Sequence, residues 1–370
     1  RPCSAAGVFT TNHVKAAPVI VNMDRLARNP SAIRAVAVNT KCANACTGEQ
    51  GVANALAMGE LAAQALGVAN DSVLAMSTGV IGTHLPMDKI GVGVELATTG
   101  LGGGWHAAAS AIMTTDTRPK LASTRVTMAN GKTYTIAGIS KGSGMIAPNM
   151  ATMLGVIVTD AALSPAQAGA ALRSVGEVTF NRIVVDGDMS TNDTVLLLAN
   201  GASGADVQTL SDEAQFSAAL EDVCRSLAQA IVRDGEGVTK FITINVGGAV
   251  DDAAARLIAN TIATSALVKT AFYGADANWG RIVAAAGRAG VPLAPERMRL
   301  WLAPGEDSDG ALLLFENGMP TAYDEAAASG IMGEPSVYVA LDCGMGPGTA
   351  TIWTCDLSHD YVSINGHYRT

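Results

Sequence analysis

Lys141-Gly-Ser-Gly-Met-Ile-Ala-Pro-Asn-Met-Ala151-Thr152-Met-Leu-Gly-Val-Ile-Val158 sets a glycine- and proline-rich turn directly before a threonine and an apolar run. The run Met153 to Val158 is short and β-rich, bounded by the turn on one side and Asp160 on the other. It predicts a buried central strand. Thr152 then heads that strand, after a turn able to hold unusual backbone. No histidine lies in this stretch to activate a hydroxyl. A threonine still becomes a nucleophile if the chain is cut before it, because the freed α-amine stands beside its own hydroxyl. That amine titrates near ~7.7–8.0, where a general base is most useful. The other reading of Ala151-Thr152 is ordinary strand-entry sequence, and this stretch alone leaves both open.

Working outward, Val126 to Ile136 alternates around Asn130-Gly131, a two-residue hairpin signal, and the return strand leads into Lys141. Residues 52–66 are strong helix formers. Pro165 to Ser174 and Asp212 to Arg233 read as amphipathic helices; the second spaces Phe216, Leu220, Val223, Leu227 and Ile231 by three or four. Ala253 to Ala266 reads as one further helix, and Phe241–Val246 and Ser336–Leu341 alternate as strands. Helices and strands intermingle, so the class is α/β or α+β.

Composition narrows the function. The 370 residues are 49% hydrophobic and only 15% charged, with 40 glycines, which fits a folded enzyme and not a disordered chain. A formal net charge of -9 and the lack of any Lys/Arg cluster argue against nucleic-acid binding. No apolar run reaches membrane-spanning length. The six cysteines lack zinc-type pairing and read as reduced, mostly buried thiols. Gly100-Leu-Gly-Gly-Gly104 does not follow a convincing strand in a βαβ unit, so a turn is favoured over a phosphate loop. The five histidines are too scattered for a metal site, and Asp186, Asp188 and Asp193 lack calcium-loop spacing; they read as residues that brace a turn.

The threonine stretch resembles the self-cleaving segment of the ornithine acetyltransferase (glutamate N-acetyltransferase) family of arginine biosynthesis. Other blocks resemble the family in the same order along nearly the whole chain: Asn39 to Gly48, Ser77-Thr-Gly-Val-Ile-Gly82, Ile112 to Lys120, Asp186 to Thr194, Asp234-Gly-Glu-Gly237, Leu267-Val-Lys-Thr270, Asn278-Trp-Gly-Arg281 and Cys355 to Thr370. The resemblance implies stacked β-sheets flanked by helices. It implies a precursor cut between Ala151 and Thr152, giving an alpha chain, 1–151, and a beta chain, 152–370, that stay associated, two of each. Ser4 to Asn12 resembles sequence that normally lies further in, so a preceding native segment is expected, and any targeting peptide would belong to it. The expected location is cytoplasmic, or mitochondrial or plastid in a eukaryote.

The implied reaction moves an acetyl group from N2-acetylornithine to glutamate through an acetyl-threonine at Thr152. The resemblance makes Thr78 and Gly79 the donors for the tetrahedral oxyanion. It gives substrate contacts to Thr115, Lys141, Glu236, Asn365 and Thr370, with Lys141 gripping a carboxylate and Glu236 an ammonium. Without it, Lys141 reads as a solvated surface lysine, Ser77-Thr-Gly79 as a turn cap, and Glu236 as part of a helix-ending loop. No cofactor or metal is implied, and acetyl-CoA is left open as a second acetyl donor. Thr40-Lys41, Met189, Ala277 and Gly366-His367 depart from the family pattern. The rival reading is an amidohydrolase or aminopeptidase that exposes the same threonine but lets water accept the acyl group.

Overall fold

The computed structural model describes residues 1–102, 104–147 and 153–367. The chain forms two compact units, residues 1–181 with 188–231, and residues 182–187 with 232–370.

In chain order the first unit holds β1 (Ser4–Phe9), α1 (Ala17–Arg28), β2 (Ala35–Asn39), α2 (Gly48–Leu66), β3 (Val73–Ser77), α3 (Met87–Thr99), α4 (Trp105–Ala111), β4 (Lys120–Thr127), β5 (Thr133–Lys141), β6 (Leu154–Thr159), α5 (Pro165–Val178), β7 (Thr194–Ala199) and α6 (Leu210–Val232). Its main sheet runs β1-β7-β6-β5-β4, with β6 parallel to β7 and the other pairs antiparallel. The strand expected after Thr152 is thus the middle strand of five. Its partner β7 is buried along its full length, which explains the unbroken apolar run of both. The parallel pair β2-β3 stacks on this sheet: Leu74 and Met76 pack with Leu154, Leu196 and Leu198. Helices α5 and α6 supply further core. Ser164 and Gln167 form a capping box with Pro165 in the first turn, so α5 starts where its sequence dictates. Phe216, Leu220, Val223, Leu227 and Ile231 of α6 are all buried, as their spacing predicts.

Two sequence expectations change in detail. The β4–β5 connection is a three-residue loop, Ala129-Asn130-Gly131, closed by the Met128 N–H on the Lys132 carbonyl at 2.8 Å. The Asn130 side chain accepts the Lys132 N–H at 3.0 Å, which draws one more residue into the turn than a tight Asn-Gly hairpin needs. The expected helix 253–266 breaks at Thr264-Ser265, where the Ser265 backbone is extended, into α7 (Asp252–Ala263) and α8 (Ala266–Tyr273).

The second unit also contains β8 (Phe241–Ala249), α9 (Trp279–Gly287), β9 (Arg299–Pro304), β10 (Leu312–Glu316), β11 (Met319–Pro320), α10 (Glu325–Gly333), β12 (Ser336–Asp342), β13 (Gly348–Cys355) and α11 (His359–Gly366). Its sheet order is β11-β10-β9-β12-β8-β13. Ile258 and Ile262 of α7 and Val268 and Phe272 of α8 pack on Ile242, Ile244 and Val339 of the sheet. Cys224, Cys343 and Cys355 are buried, but Cys46 is exposed and Cys3 and Cys42 half-buried, so the expectation of mostly buried thiols holds for only half of them.

Candidate active site

In the first unit the site is built from the ends of parallel strands. Asn39 and Ser77 are register partners at the ends of β2 and β3, and the Ser77 hydroxyl donates to the Asn39 side chain at 2.5 Å. Beyond them the Thr78 N–H donates to the Asn39 carbonyl at 3.1 Å, and the Val80 N–H to the Lys41 carbonyl at 2.9 Å. Gly79 lies between these two bonds at φ 131°, and a Cβ there would overlap the Lys41 carbonyl. Only glycine fits, because that backbone is strained for other residues and the approach is closer than a side chain allows. Lys41 itself adopts φ 73°. The Thr78 N–H is engaged, while the Gly79 N–H has no hydrogen-bond partner among the described residues. The donor pair this turn offers is therefore the Thr78 hydroxyl and the Gly79 N–H.

Lys141 ends β5, opposite Leu154 of β6. It is 3% exposed, which overturns its reading as a solvated surface lysine. Its ammonium donates to the Thr78 hydroxyl at 3.5 Å and lies 3.9 Å from Asp116 Oδ2. Asp116 Oδ1 accepts from Lys120 Nζ and from the Gly142 N–H, each at 2.7 Å, and Oδ2 from the Thr114 N–H at 3.0 Å. Burial alone would push this carboxyl up. The Lys141 and Lys120 ammoniums and the donated hydrogen bonds outweigh burial and hold it below the usual carboxylate range. Thr115, half-buried, shares a 2.7 Å hydrogen bond with the Ser143 hydroxyl. Thr78, Gly79, Lys141 and Thr115 thus belong to one structural unit, with Asp116, Lys120 and Ser143 as supports that sequence reasoning did not single out. The signal for the ion pair was the Asp116-to-Lys120 spacing inside an already noted block.

Asp193, expected only to brace a turn, does so from full burial. Its Oδ1 accepts the Met153 N–H at 3.0 Å. Burial pushes its carboxyl well above the ordinary value, against the pull of the Met153 N–H and the Lys141 ammonium.

In the second unit Glu236 lies in the loop after α6. Gly237 takes φ 69°, and a Cβ there would meet the Tyr361 N at 2.5 Å and the Ser358 hydroxyl at 2.7 Å, so this glycine lets the loop lie against the start of α11. Asn365 of α11 donates to Glu236 Oε2 at 2.8 Å and to the Tyr361 carbonyl at 3.1 Å. Two of the three residues expected to touch substrate in this unit, Glu236 and Asn365, are therefore bonded to each other. The expected cut at Ala151-Thr152, the expected nucleophile Thr152 and the expected substrate contact Thr370 lie outside the described residues.

A model of the ArgJ family matches residues 1–370. The chain belongs to the ArgJ family. Among its relatives, the arginine biosynthesis bifunctional protein ArgJ of Thermotoga neapolitana is 50% identical, with all of this chain and 92% of that protein covered. The mitochondrial protein of the same name from Heterostelium pallidum is 44% identical, with all of this chain and 88% of that one covered. The crystal structure of ArgJ from Bacillus halodurans matches with a TM-score of 0.52 at 40% identity, covering 56% of this chain and 95% of the solved one. The mixed fold of helix-flanked sheets expected from the sequence is the fold observed. Among the described residues of this ArgJ-family chain, no helix is long and apolar enough to cross a membrane.

Proposed function

We propose that this chain is an acetyltransferase of arginine biosynthesis that moves the acetyl group of N2-acetylornithine to glutamate by double displacement at Thr152. Family membership and the names of its relatives support the acetyl-transfer chemistry and the pathway. The 3.5 Å approach of Lys141 to Thr78 carries the choice of substrate. In an α-N-acetyl amino acid the carboxylate and the acetylated nitrogen hang from one carbon. A cation for the first and donors for the acetyl oxygen must therefore lie within a few ångströms of each other, as Lys141 and the Thr78-Gly79 pair do.

In this mechanism Thr152 Oγ attacks the acetyl carbonyl while its own α-amine takes the hydroxyl proton. The Thr78 hydroxyl, which accepts from Lys141, turns its proton toward the oxyanion, and the Gly79 N–H adds a second donor. Collapse breaks the C–N bond, the proton passes to the departing α-amine of ornithine, and the acetyl group remains as a threonine ester. The α-amine of glutamate then attacks the ester and leaves as N-acetylglutamate, returning the proton to Thr152. Lys141 holds the α-carboxylate common to both substrates, with Thr115, Asn365 and Thr370 as hydrogen-bonding partners. Glu236 takes the side-chain ammonium of ornithine. Acetyl-CoA is left open as a second donor in this scheme, acting on the same threonine.

The α-amine base requires a chain that starts at Thr152, so we assign residues 1–151 and 152–370 to two chains cut from one precursor, assembled as two of each. The coverage of the Bacillus halodurans match supports the cut alone, because a solved chain 95% covered by 56% of this one is a little over half as long. Initial rates over a grid of both substrates test the scheme. Parallel double-reciprocal lines are expected, since ornithine leaves before glutamate reacts. Intersecting lines would indicate direct transfer in a ternary complex, and glutamate-independent release of acetate at full rate would favour the hydrolase reading.

A further inference from the structure

Residues 190–194 link the two parts of the first unit's site. The Asn192 side chain, 5% exposed, donates to the Ser77 carbonyl at 2.8 Å and to the Ala43 carbonyl at 2.6 Å. Ser77 immediately precedes Thr78. The next residue, Asp193, accepts the Met153 N–H, and Thr194 donates its own N–H to the Met153 carbonyl at 3.1 Å. Met153 immediately follows Thr152, and both of its backbone polar groups are held by residues 193 and 194.

The segment is itself fixed. The Thr10 N–H donates to the Asp193 carbonyl at 3.0 Å, the Asn192 N–H to the Ser190 hydroxyl at 3.0 Å, and the Thr194 hydroxyl to the Asn192 carbonyl at 3.0 Å. The Thr191 hydroxyl donates to Asn192 Oδ1 at 2.6 Å, which orients the amide so that its NH₂ faces the two carbonyls. We propose that Asn192 and Asp193 are a positioning pair that holds the oxyanion turn through Ser77 and the chain next to the nucleophile through Met153 on one rigid support.

This inference rests on the assignment of Thr152 as nucleophile and Thr78-Gly79 as oxyanion donors. Its physical basis is that reaction rate depends steeply on the relative placement of nucleophile and donors. Two adjacent residues that grip both sides fix that placement with little room for relative drift. The choice of a carboxyl at 193 points the same way. Asp193 is fully buried and its Oδ2 has no hydrogen-bond partner among the described residues, an arrangement that lowers stability. An apolar residue would avoid that cost but could not accept the Met153 N–H.

The test compares cleaved, folded enzyme carrying Asn192→Ala, Asp193→Ala, both together, or Asp193→Asn. Acetylation of Thr152 is followed by mass spectrometry after mixing with N-acetylornithine, alongside steady-state kcat and KM. Each alanine variant should lose roughly 10²-fold in acetylation rate and kcat, the scale of a misplaced reacting group, with KM within about twofold and a double loss smaller than the product of the single ones. Asp193→Asn, which keeps an acceptor for the Met153 N–H, should recover most of the rate. If Asp193→Ala does not fold, Asn192→Asp carries the test, because it keeps the size and removes both donors. Folded alanine variants that acetylate at the parental rate would overturn the pair. An unmodified Thr152 in the parent enzyme would instead overturn the underlying assignment.

Discussion

Lys120 and Asp116 form an ion pair closed to water on both sides, at 2.7 Å with side chains 1% and 0% exposed. The same carboxylate lies beside Lys141, so it serves both the fold and the site. Removing it leaves two buried ammoniums without this partner. Asp116→Ala should lower unfolding stability by about 3–5 kcal/mol, the range for breaking a buried pair, as read by urea denaturation. The pH sign follows from its depressed value. The contribution is fully present above the unfolded carboxyl value of ~3.9 and is lost as pH falls through the lower folded value. The stability difference between parent and Asp116→Ala should therefore shrink in acid. A difference that is constant from neutral pH through that window would contradict the assignment.

Thr78→Ala removes a hydroxyl that Lys141 orients and leaves the turn backbone in place. Loss of one oxyanion donor should cut kcat by roughly 10²–10³ with KM little changed. An unchanged kcat with a raised KM would make Thr78 a ground-state binding residue.

Lys141→Met tests the carboxylate grip. Both half-reactions share the α-carboxylate, so KM for N-acetylornithine and KM for glutamate should rise together, by about 10-fold or more for a lost charged hydrogen bond. A fall in kcat alone would move Lys141 from substrate binding to support of the oxyanion.

Much of this is legible in the sequence alone. The α6 spacing and the β6 apolar run each gave one periodicity consistent with one environment, so both elements form where expected. The helix break at Thr264-Ser265 was hidden because the flanking residues are good helix formers on both sides. The site was less legible from the residues alone. Lys141 reads as an ordinary exposed lysine until Asp116, 25 residues earlier, is brought beside it. Ser77-Thr78-Gly79 reads as a turn cap until β2 places the Lys41 carbonyl against Gly79. Such pairings come from sheet register, which local sequence does not encode. The family resemblance points to those residues, and the bonds of Asn192 and Asp193 are visible only in the folded chain.

Glu236 and Asn365 provide a charge test. Glu236→Gln keeps a hydrogen-bonding group for Asn365 but removes the carboxylate that would meet the ornithine ammonium. Acetylation of the enzyme by N-acetylornithine should slow by about 10-fold, the scale of a charged hydrogen bond, while transfer from the acetyl-enzyme to glutamate changes less. Equal losses in both halves would mean that Glu236 orders its loop and does not read charge.

Mass spectrometry of Thr152 tests the central claim most directly. Purified protein should contain a chain that starts at Thr152, and brief exposure to N-acetylornithine without glutamate should make its N-terminal peptide heavier by one acetyl group. Added glutamate should discharge that group, and Thr152→Ala should remain one uncut, inactive chain. An active enzyme whose Thr152 peptide never carries acetyl, or a Thr152→Ala chain that is still cut before residue 152, would contradict the account.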